Sequence, residues 1–155
     1  GDAADMPFSS ESFTAISHSD VLCCLEDKLT VLQECRRVIN ADGRMCFTVI
    51  RLADGLKGTA MERAVQAGPE FIHSETHYPS MLQSAGWQTI QQDDITGAFC
   101  ASIERMIAAE EKQSESLRAL RGNEANETAQ ANWRYKLQAV ADGLILREFF
   151  SVVPA

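Results

Sequence analysis

The stretch Leu32–Ile50, which reads LQECRRVINADGRMCFTVI, determines the fold class that we predict. Its first part continues an apolar stripe at helical spacing, for which Asp27 is a suitable N-cap. Its last part, Arg44–Ile50, is nearly all apolar and β-branched or aromatic, which predicts a strand buried on both faces, as in parallel sheets. Between them, Asn40–Gly43 predicts a stop and a turn with residues available for positive φ. The residues that recur at helical spacing are Leu29, Leu32, Cys35, Arg36 and Ile39.

Strand and helix patterns alternate on both sides of this stretch. Further strands are predicted at Phe13–His18, Trp87–Ile95 and Leu144–Val153. Further helices are predicted at Thr59–Ala67, Pro79–Ala85, Ala98–Leu120 and Glu124–Asp142. Strands that alternate with helices favour an α/β layered sheet with right-handed crossovers. The last strand follows a helical hairpin, so its direction stays open.

The composition limits the partners and the compartment that we expect. Among 155 residues, 22 Asp and Glu against 14 Lys and Arg give a net charge of −8, which disfavours nucleic acid and anionic membranes as partners. No apolar run approaches the roughly 18 residues that span a bilayer. The 5 cysteines are odd in number and lie mostly in apolar stretches, which indicates free thiols in a reducing, cytoplasmic compartment.

Five segments of the chain form a joint pattern in order and spacing. They are GDAADMPF at Gly1–Phe8, SFTAIS at Ser12–Ser17, VLCCLEDK at Val21–Lys28, LQECRRVINADGR at Leu32–Arg44 and YPSMLQSAGWQ at Tyr78–Gln88. Together they resemble the class I S-adenosylmethionine-dependent methyltransferases, and more narrowly the small-molecule methyltransferases of the ubiquinone-biosynthesis type. The resemblance covers nearly the whole chain, although no single motif decides it.

The resemblance implies a truncated Rossmann-like methyltransferase sheet. Its strands follow the family order four-five-seven-six, and the last strand runs antiparallel to the others. Residues 1–155 would form a single partial domain, with a helical insertion at residues 98–142 between the last two strands. The Gly-rich loop and the ribose-binding acid of the family have no counterpart in this sequence. We therefore expect a fragment that corresponds to the C-terminal two-thirds of such an enzyme.

The same resemblance implies a set of cofactor-binding residues. Asp2 would accept a hydrogen bond from the adenine amino group, and the backbone N–H of Ala3 would face the ring. Met6 would pack on the adenine face or anchor its loop to the core. Ser17 and His18 would lie at the carboxyl edge of the sheet, where His18 is either a base or pocket residue or a polar loop histidine. The catalytic residues stay unassigned, and the implied methyl acceptor is a small molecule.

Two further functions compete with the methyltransferase. One is a non-catalytic α/β module that dimerises without a cofactor, and the other is a different nucleotide-binding fold such as a dehydrogenase. Without a Gly-rich loop, we expect this chain to bind S-adenosylmethionine weakly or not at all. Without strand one beside it, Phe13–His18 would be an unprotected edge, and Ile16, Val21 and Leu22 would face water. We therefore expect a homodimer through residues 13–25. The alternative is that the helices at residues 98–142 fold over the gap and keep the chain monomeric.

Neither the histidine pair nor the arginine pair of this sequence is predicted to form a binding site. His73 and His77 would form a metal-binding pair only on a helix, and the loop composition before Pro79 argues against one, so no metal is expected. Arg36 and Arg37 are interpreted as a solvated helix face.

Overall fold

The computed structural model describes the whole chain, Gly1–Ala155. The strands are β1 Phe13–Ser19, β2 Ile39–Leu52, β3 Trp87–Asp94 and β4 Ile145–Pro154. The helices are α1 Lys28–Val38, α2 Gly58–Ala67, α3 Tyr78–Ser84, α4 Thr96–Lys112, α5 Ser114–Arg121 and α6 Asn123–Ala141. A short 3-10 helix, Leu22–Cys24, precedes α1.

The four strands form one sheet in the order β1-β2-β4-β3. β1 pairs in parallel with β2, and β3 pairs antiparallel with β4. β4 also runs antiparallel to β2, because Arg44 near the start of β2 contacts Ser151, whereas Arg51 near its end contacts Glu148. The predicted α/β class, the strand order four-five-seven-six and the antiparallel last strand are therefore confirmed.

The predicted turn at Asn40–Gly43 is wrong, because β2 continues through it. β1 advances two residues, from Phe13 to Ala15, while β2 advances five, so the extra residues bulge out of the ladder. Gly43 does not use a positive φ. A Cβ on Gly43 would instead lie 2.5 Å from Cγ1 of Ile39, which is fully buried. The glycine is therefore required for close packing rather than for a turn.

Local sequence signals place several helix ends correctly. The Asp27 side chain caps α1 by accepting the backbone N–H of Thr30 at 3.1 Å. Gly86 follows α3 with φ +81°, as expected of a glycine after a helix. The single helix predicted for Ala98–Leu120 is wrong, because Gln113 takes φ −103° and ψ 14° and separates α4 from α5. No Gly or Pro marks this break in the sequence.

The chain divides into two compact units, and unit 1 comprises residues 1–51, 69–94 and 147–155. Within it, Met45, Phe47 and Val49 of β2 are at most 1% exposed. Cys46 and Thr48, which alternate with them, are only half-buried. β2 is therefore buried more deeply on one face than on the other, whereas a strand buried on both faces was predicted.

Unit 2 comprises residues 52–68 and 95–146, and within it α6 packs against α2, α4 and α5. Arg63 and Asp142 form an ion pair at 2.6 Å, and the Tyr135 hydroxyl donates to Gln66 at 3.0 Å. The predicted insertion, residues 98–142, falls on α4–α6, which lie between β3 and β4 along the chain. No helix combines the length and the apolar composition that a membrane-spanning segment requires.

Candidate functional site

The first group of predicted site residues lies in the N-terminal loop, residues 1–8. A tight turn forms there, because the N–H of Asp5 donates to the carbonyl of Asp2 at 3.3 Å, and the N–H of Ala4 donates to Asp2 Oδ1 at 2.9 Å. Ala3 stands within this turn and is half-buried. Asp2 is exposed and keeps Oδ2 as an acceptor, so its carboxylate suits an exocyclic amino group such as that of adenine.

Two side chains of α1 hold the end of this loop. Glu34 Oε1 accepts the N–H of Met6 at 2.8 Å, and Arg37 donates to the carbonyls of Met6 at 3.1 Å and of Phe8 at 2.8 Å. Arg37 also pairs with Glu34 at 2.6 Å. The interpretation of Arg36 and Arg37 as a solvated face is therefore wrong, because Arg37 binds the loop and Arg36 donates to a distant backbone carbonyl.

The charges of Glu34 and Arg37 strengthen their hydrogen bonds to the N-terminal loop. The pKa of Glu34 falls to about 2, because Arg37 hydrogen-bonds its carboxylate and the Met6 N–H adds a second donor. Glu34 in turn raises the pKa of Arg37. Both side chains are therefore ionised at neutral pH, and charge-assisted hydrogen bonds hold the Met6 backbone.

Ser17 and His18 form the second group of predicted site residues. His18 lies inside β1 rather than in a loop. Its ring stacks on Phe47 at 4.9 Å between centroids, Phe47 stacks on Phe150 at 5.1 Å, and Tyr78 follows at 6.3 Å. Both ring nitrogens of His18 are buried without a hydrogen-bond partner. Burial lowers the pKa of His18 to about 4, against a smaller opposing effect of Asp20. The interpretation as a polar loop histidine is therefore wrong, and the imidazole is neutral at pH 7.

A polar network at the end of β1 was missed by the sequence reasoning. Arg147 of β4 donates to both carboxylate oxygens of Asp20, at 2.7 and 3.1 Å. The same guanidinium donates to Ser19 Oγ at 3.0 Å and to Thr48 Oγ1 at 3.2 Å. Asp20 takes φ +54°, so the network holds the chain in a left-handed turn as it leaves the strand. The available signal was an acidic residue directly after a strand, at the edge where such sheets bind ligands.

The predicted site residues fall at two places in unit 1. Met6 is tied to Arg37, just before Ile39, and Ile39 pairs with Phe13 at the start of β1. Ser17 and His18 lie near the opposite end of that strand. Ser17 is exposed and His18 is half-buried. The anchor of the N-terminal loop and the second group are thus separated by most of the length of β1.

The segment around the two remaining histidines is held by a lysine. His77 precedes α3 as its N-cap, and His73 lies in the loop before it. The ammonium group of the buried Lys28 donates to the carbonyls of Leu25 at 3.0 Å and His73 at 3.3 Å. No group of three or more His, Cys, Asp or Glu side chains is arranged to hold a metal ion.

Comparisons with known sequences bear on this site. Residues 1–47 match a family model described as a methyltransferase domain. Over 142 residues the chain is 21% identical to the phosphoethanolamine N-methyltransferase of Triticum aestivum. That similarity covers 92% of this chain and 28% of the wheat protein.

Two solved structures share the fold. A candidate sarcosine dimethylglycine methyltransferase from Galdieria sulphuraria matches with a TM-score of 0.88 and 19% identity, over 99% of this chain and 57% of that chain. Phosphoethanolamine N-methyltransferase 2 of Haemonchus contortus, in complex with phosphomonomethylethanolamine and S-adenosylhomocysteine, matches with a TM-score of 0.85 and 19% identity. The second match covers 99% of this chain and 36% of that chain. The chain thus spans less than two-thirds of the length of each of these relatives. The family-model match and the shared fold confirm the predicted resemblance to class I methyltransferases.

Proposed function

We propose that this chain, which has the fold of class I S-adenosylmethionine-dependent methyltransferases, is part of an enzyme that methylates a small molecule. The observation that carries the proposal is the methyltransferase family match over residues 1–47. That segment holds the Asp2 turn, the whole of β1 and, from the polar network, Ser19 and Asp20. The relatives support a small acceptor, because their names refer to phosphoethanolamine, sarcosine and dimethylglycine.

We propose that the N-terminal loop and the end of β1, although separated along the strand, both contribute to the cofactor site, which an extended cofactor would bridge. When bound, S-adenosylmethionine supplies a methyl group activated by a sulfonium. The Asp2 carboxylate would accept the adenine amino group, the N–H of Ala3 would face the ring, and the Met6 side chain would flank it. Ser17 and His18 would line the site at the carboxyl edge of the sheet.

His18 is better suited to lining a site than to removing a proton. With a pKa of about 4, its imidazole is a weak base at pH 7. A neutral ring with unpartnered nitrogens can still accept or donate one hydrogen bond. Methyl transfer depends mainly on the proximity and alignment of the reactants, so such a positioning role is sufficient.

A calorimetric titration with S-adenosylmethionine tests the proposal. We expect weak or no binding by this chain, because it contains no Gly-rich loop, and tight binding by a longer gene product that includes one. Micromolar affinity of the 155-residue chain would contradict the first expectation. Absence of binding by both proteins would favour the competing function, a non-catalytic dimerisation module.

We propose that the chain forms a homodimer through residues 13–25. β1 is an edge strand, and none of its residues is fully buried. Val21 is 38% exposed, whereas Leu22 is fully buried in the 3-10 helix, so the expectation that Leu22 faces water is wrong. Light scattering that gives the single-chain mass at high micromolar concentration would reject the dimer. A dimer built only from α4–α6 would reject the edge-strand explanation.

The remaining parts of the proposal concern organisation and location. We propose that residues 1–155 form a single partial methyltransferase domain in which residues 98–142 are a helical insertion. We also propose a cytoplasmic location without nucleic-acid or membrane partners. The net charge of −8 and 5 free cysteines support that location. Fractionation of the source cells with an antibody against this chain tests it.

A further inference from the structure

We propose that Glu34 and Arg37 are positioning residues that hold the N-terminal loop in the conformation that receives the adenine of the cofactor. This inference rests on the proposed function, in which Asp2 and Ala3 contact adenine. Neither α1 side chain belongs to the proposed contact set, and both act through the backbone of Met6 and its neighbours.

The geometry fixes the loop on both sides of one residue. The N–H of Met6 donates to Glu34 at 2.8 Å, and its carbonyl accepts from Arg37 at 3.1 Å. Arg37 reaches Phe8 as well, at 2.8 Å. The carbonyl of Arg37 accepts the N–H of Glu11 at 3.0 Å, so the chain is tied again before β1 begins. Hydrogen bonds to α1 therefore restrain the loop at Met6, at Phe8 and again at Glu11.

The hydrogen bonds need a guanidinium rather than any cation. Arg37 donates from Nε and one terminal nitrogen to the two carboxylate oxygens of Glu34, at 2.8 and 2.6 Å. Its other terminal nitrogen is directed at Phe8. A lysine ammonium carries the same charge but lacks this planar fork. Arg37→Lys therefore separates the effect of shape from the effect of charge.

Fixing Met6 also fixes the proposed adenine contact. Asp2 and Asp5 close their own turn through a backbone hydrogen bond at 3.3 Å, and Asp5 directly precedes Met6. The turn is therefore attached directly to Met6, which Glu34 and Arg37 hold. Loss of the hydrogen bonds from Glu34 and Arg37 would release the first residues of the chain, which lie before any strand or helix and are otherwise prone to fray.

The test combines amide hydrogen exchange with an adenosine titration of the full 155-residue chain followed by NMR. The variants are Arg37→Gln, Arg37→Lys and Glu34→Gln, and the matched control is Gln33→Ala, an exposed residue of the same helix. The Met6 amide donates to Glu34, and Arg37 holds the Glu34 carboxylate in place. We therefore expect this amide to exchange at least about tenfold faster in both Arg37 variants, which free the Glu34 carboxylate, and less so in Glu34→Gln, which keeps an acceptor oxygen. The control should not change it.

In the titration, adenosine at millimolar concentration should shift the amides of residues 2–5 in the native chain and in Gln33→Ala. We expect the apparent Kd to rise at least about fivefold in both Arg37 variants. Unchanged affinity despite faster exchange would overturn the inference alone. Absence of any adenosine effect on the native chain would overturn the proposed adenine contacts in this chain and the inference with them, whereas tight S-adenosylmethionine binding by the longer gene product would still support the proposed function. Thermal unfolding of each variant verifies that it is folded, and Glu34→Gln provides a milder variant if an Arg37 variant is not.

Discussion

The ion pair between Arg51 of β2 and Glu148 of β4 gives the sharpest stability prediction. Arg51 Nε lies 3.0 Å from Glu148 Oε2, and its terminal nitrogen lies 3.1 Å from Oε1. Glu148 is 6% exposed, and Gln92 donates to Oε1 at 3.3 Å. Arg51→Met would leave this buried carboxylate with the amide of Gln92 but without its cation. We therefore expect it to be among the more destabilising substitutions in unit 1.

The magnitude follows from the cost of an unpaired buried charge. Removing one partner of a buried pair costs about 3–5 kcal/mol, and replacing both with apolar residues is often neutral. The Arg51 side chain is 19% exposed, so water can partly solvate the remaining carboxylate, and we expect a value near the lower bound, about 3 kcal/mol. The double variant with Glu148→Leu should recover to within about 1 kcal/mol of the native chain.

Urea unfolding at a fixed chain concentration measures these changes. Arg63→Met is the control, because its pair with Asp142 has side chains 44% and 34% exposed and should contribute about 0–1 kcal/mol. A loss below about 1 kcal/mol for Arg51→Met would refute the reasoning. Additive losses in the double variant would refute it as well, because they would show that the two charges do not depend on each other.

Three further predictions use the same unfolding assay. Burial lowers the pKa of His18 from 6.5 to about 4, so the unfolded chain binds a proton at a higher pH than the folded chain does. The free energy of unfolding should therefore decrease as the pH drops from about 6.5 to 4. In His18→Phe this pH dependence should be weaker. Trp87→Phe removes the buried hydrogen bond from Nε1 to the Leu32 carbonyl, 3.0 Å long, together with ring volume, and should cost about 1–3 kcal/mol. Gly43→Ala should lower the free energy of unfolding by about 1–3 kcal/mol, because the added Cβ would clash with a buried isoleucine. Gly97→Ala should be neutral or stabilising, because a Cβ there would meet open space beside α4. Equal effects at both glycines would contradict this.

Most of the fold could be predicted because its signals are local. The apolar run Arg44–Ile50 and the cap at Asp27 depend on neighbouring residues, and both predictions are confirmed in type. Strand order followed from the resemblance to a known family rather than from periodicity, which had left the direction of the last strand open. The break at Gln113 escaped prediction because no residue there disfavours a helix strongly enough to be recognised.

The candidate site was predicted only in part. The resemblance named Asp2, Ala3 and Met6 as cofactor-binding residues, which stays a prediction, and it did not include the turn between Asp2 and Asp5. The position of His18 at the end of a strand was anticipated. The neutral, buried state of His18 was not, because it depends on Phe47 and Phe150, which come from other strands. Desolvation is a property of the assembled core, so no local pattern shows it.

Local sequence patterns were enough to locate most strands and helices, and the composition and motifs were enough for the acidic charge and the family that the chain resembles. Which polar groups meet depends instead on the folded chain. Arg37 reaches the Met6 carbonyl across 31 positions of the chain, and Arg147 reaches Asp20 across 127. Periodicity reports which face of an element is apolar, whereas a hydrogen bond depends on donor and acceptor positions to within a few tenths of an ångström. Those positions are fixed when the strands pair and the helix packs, which is why an arginine interpreted as solvated holds a loop instead.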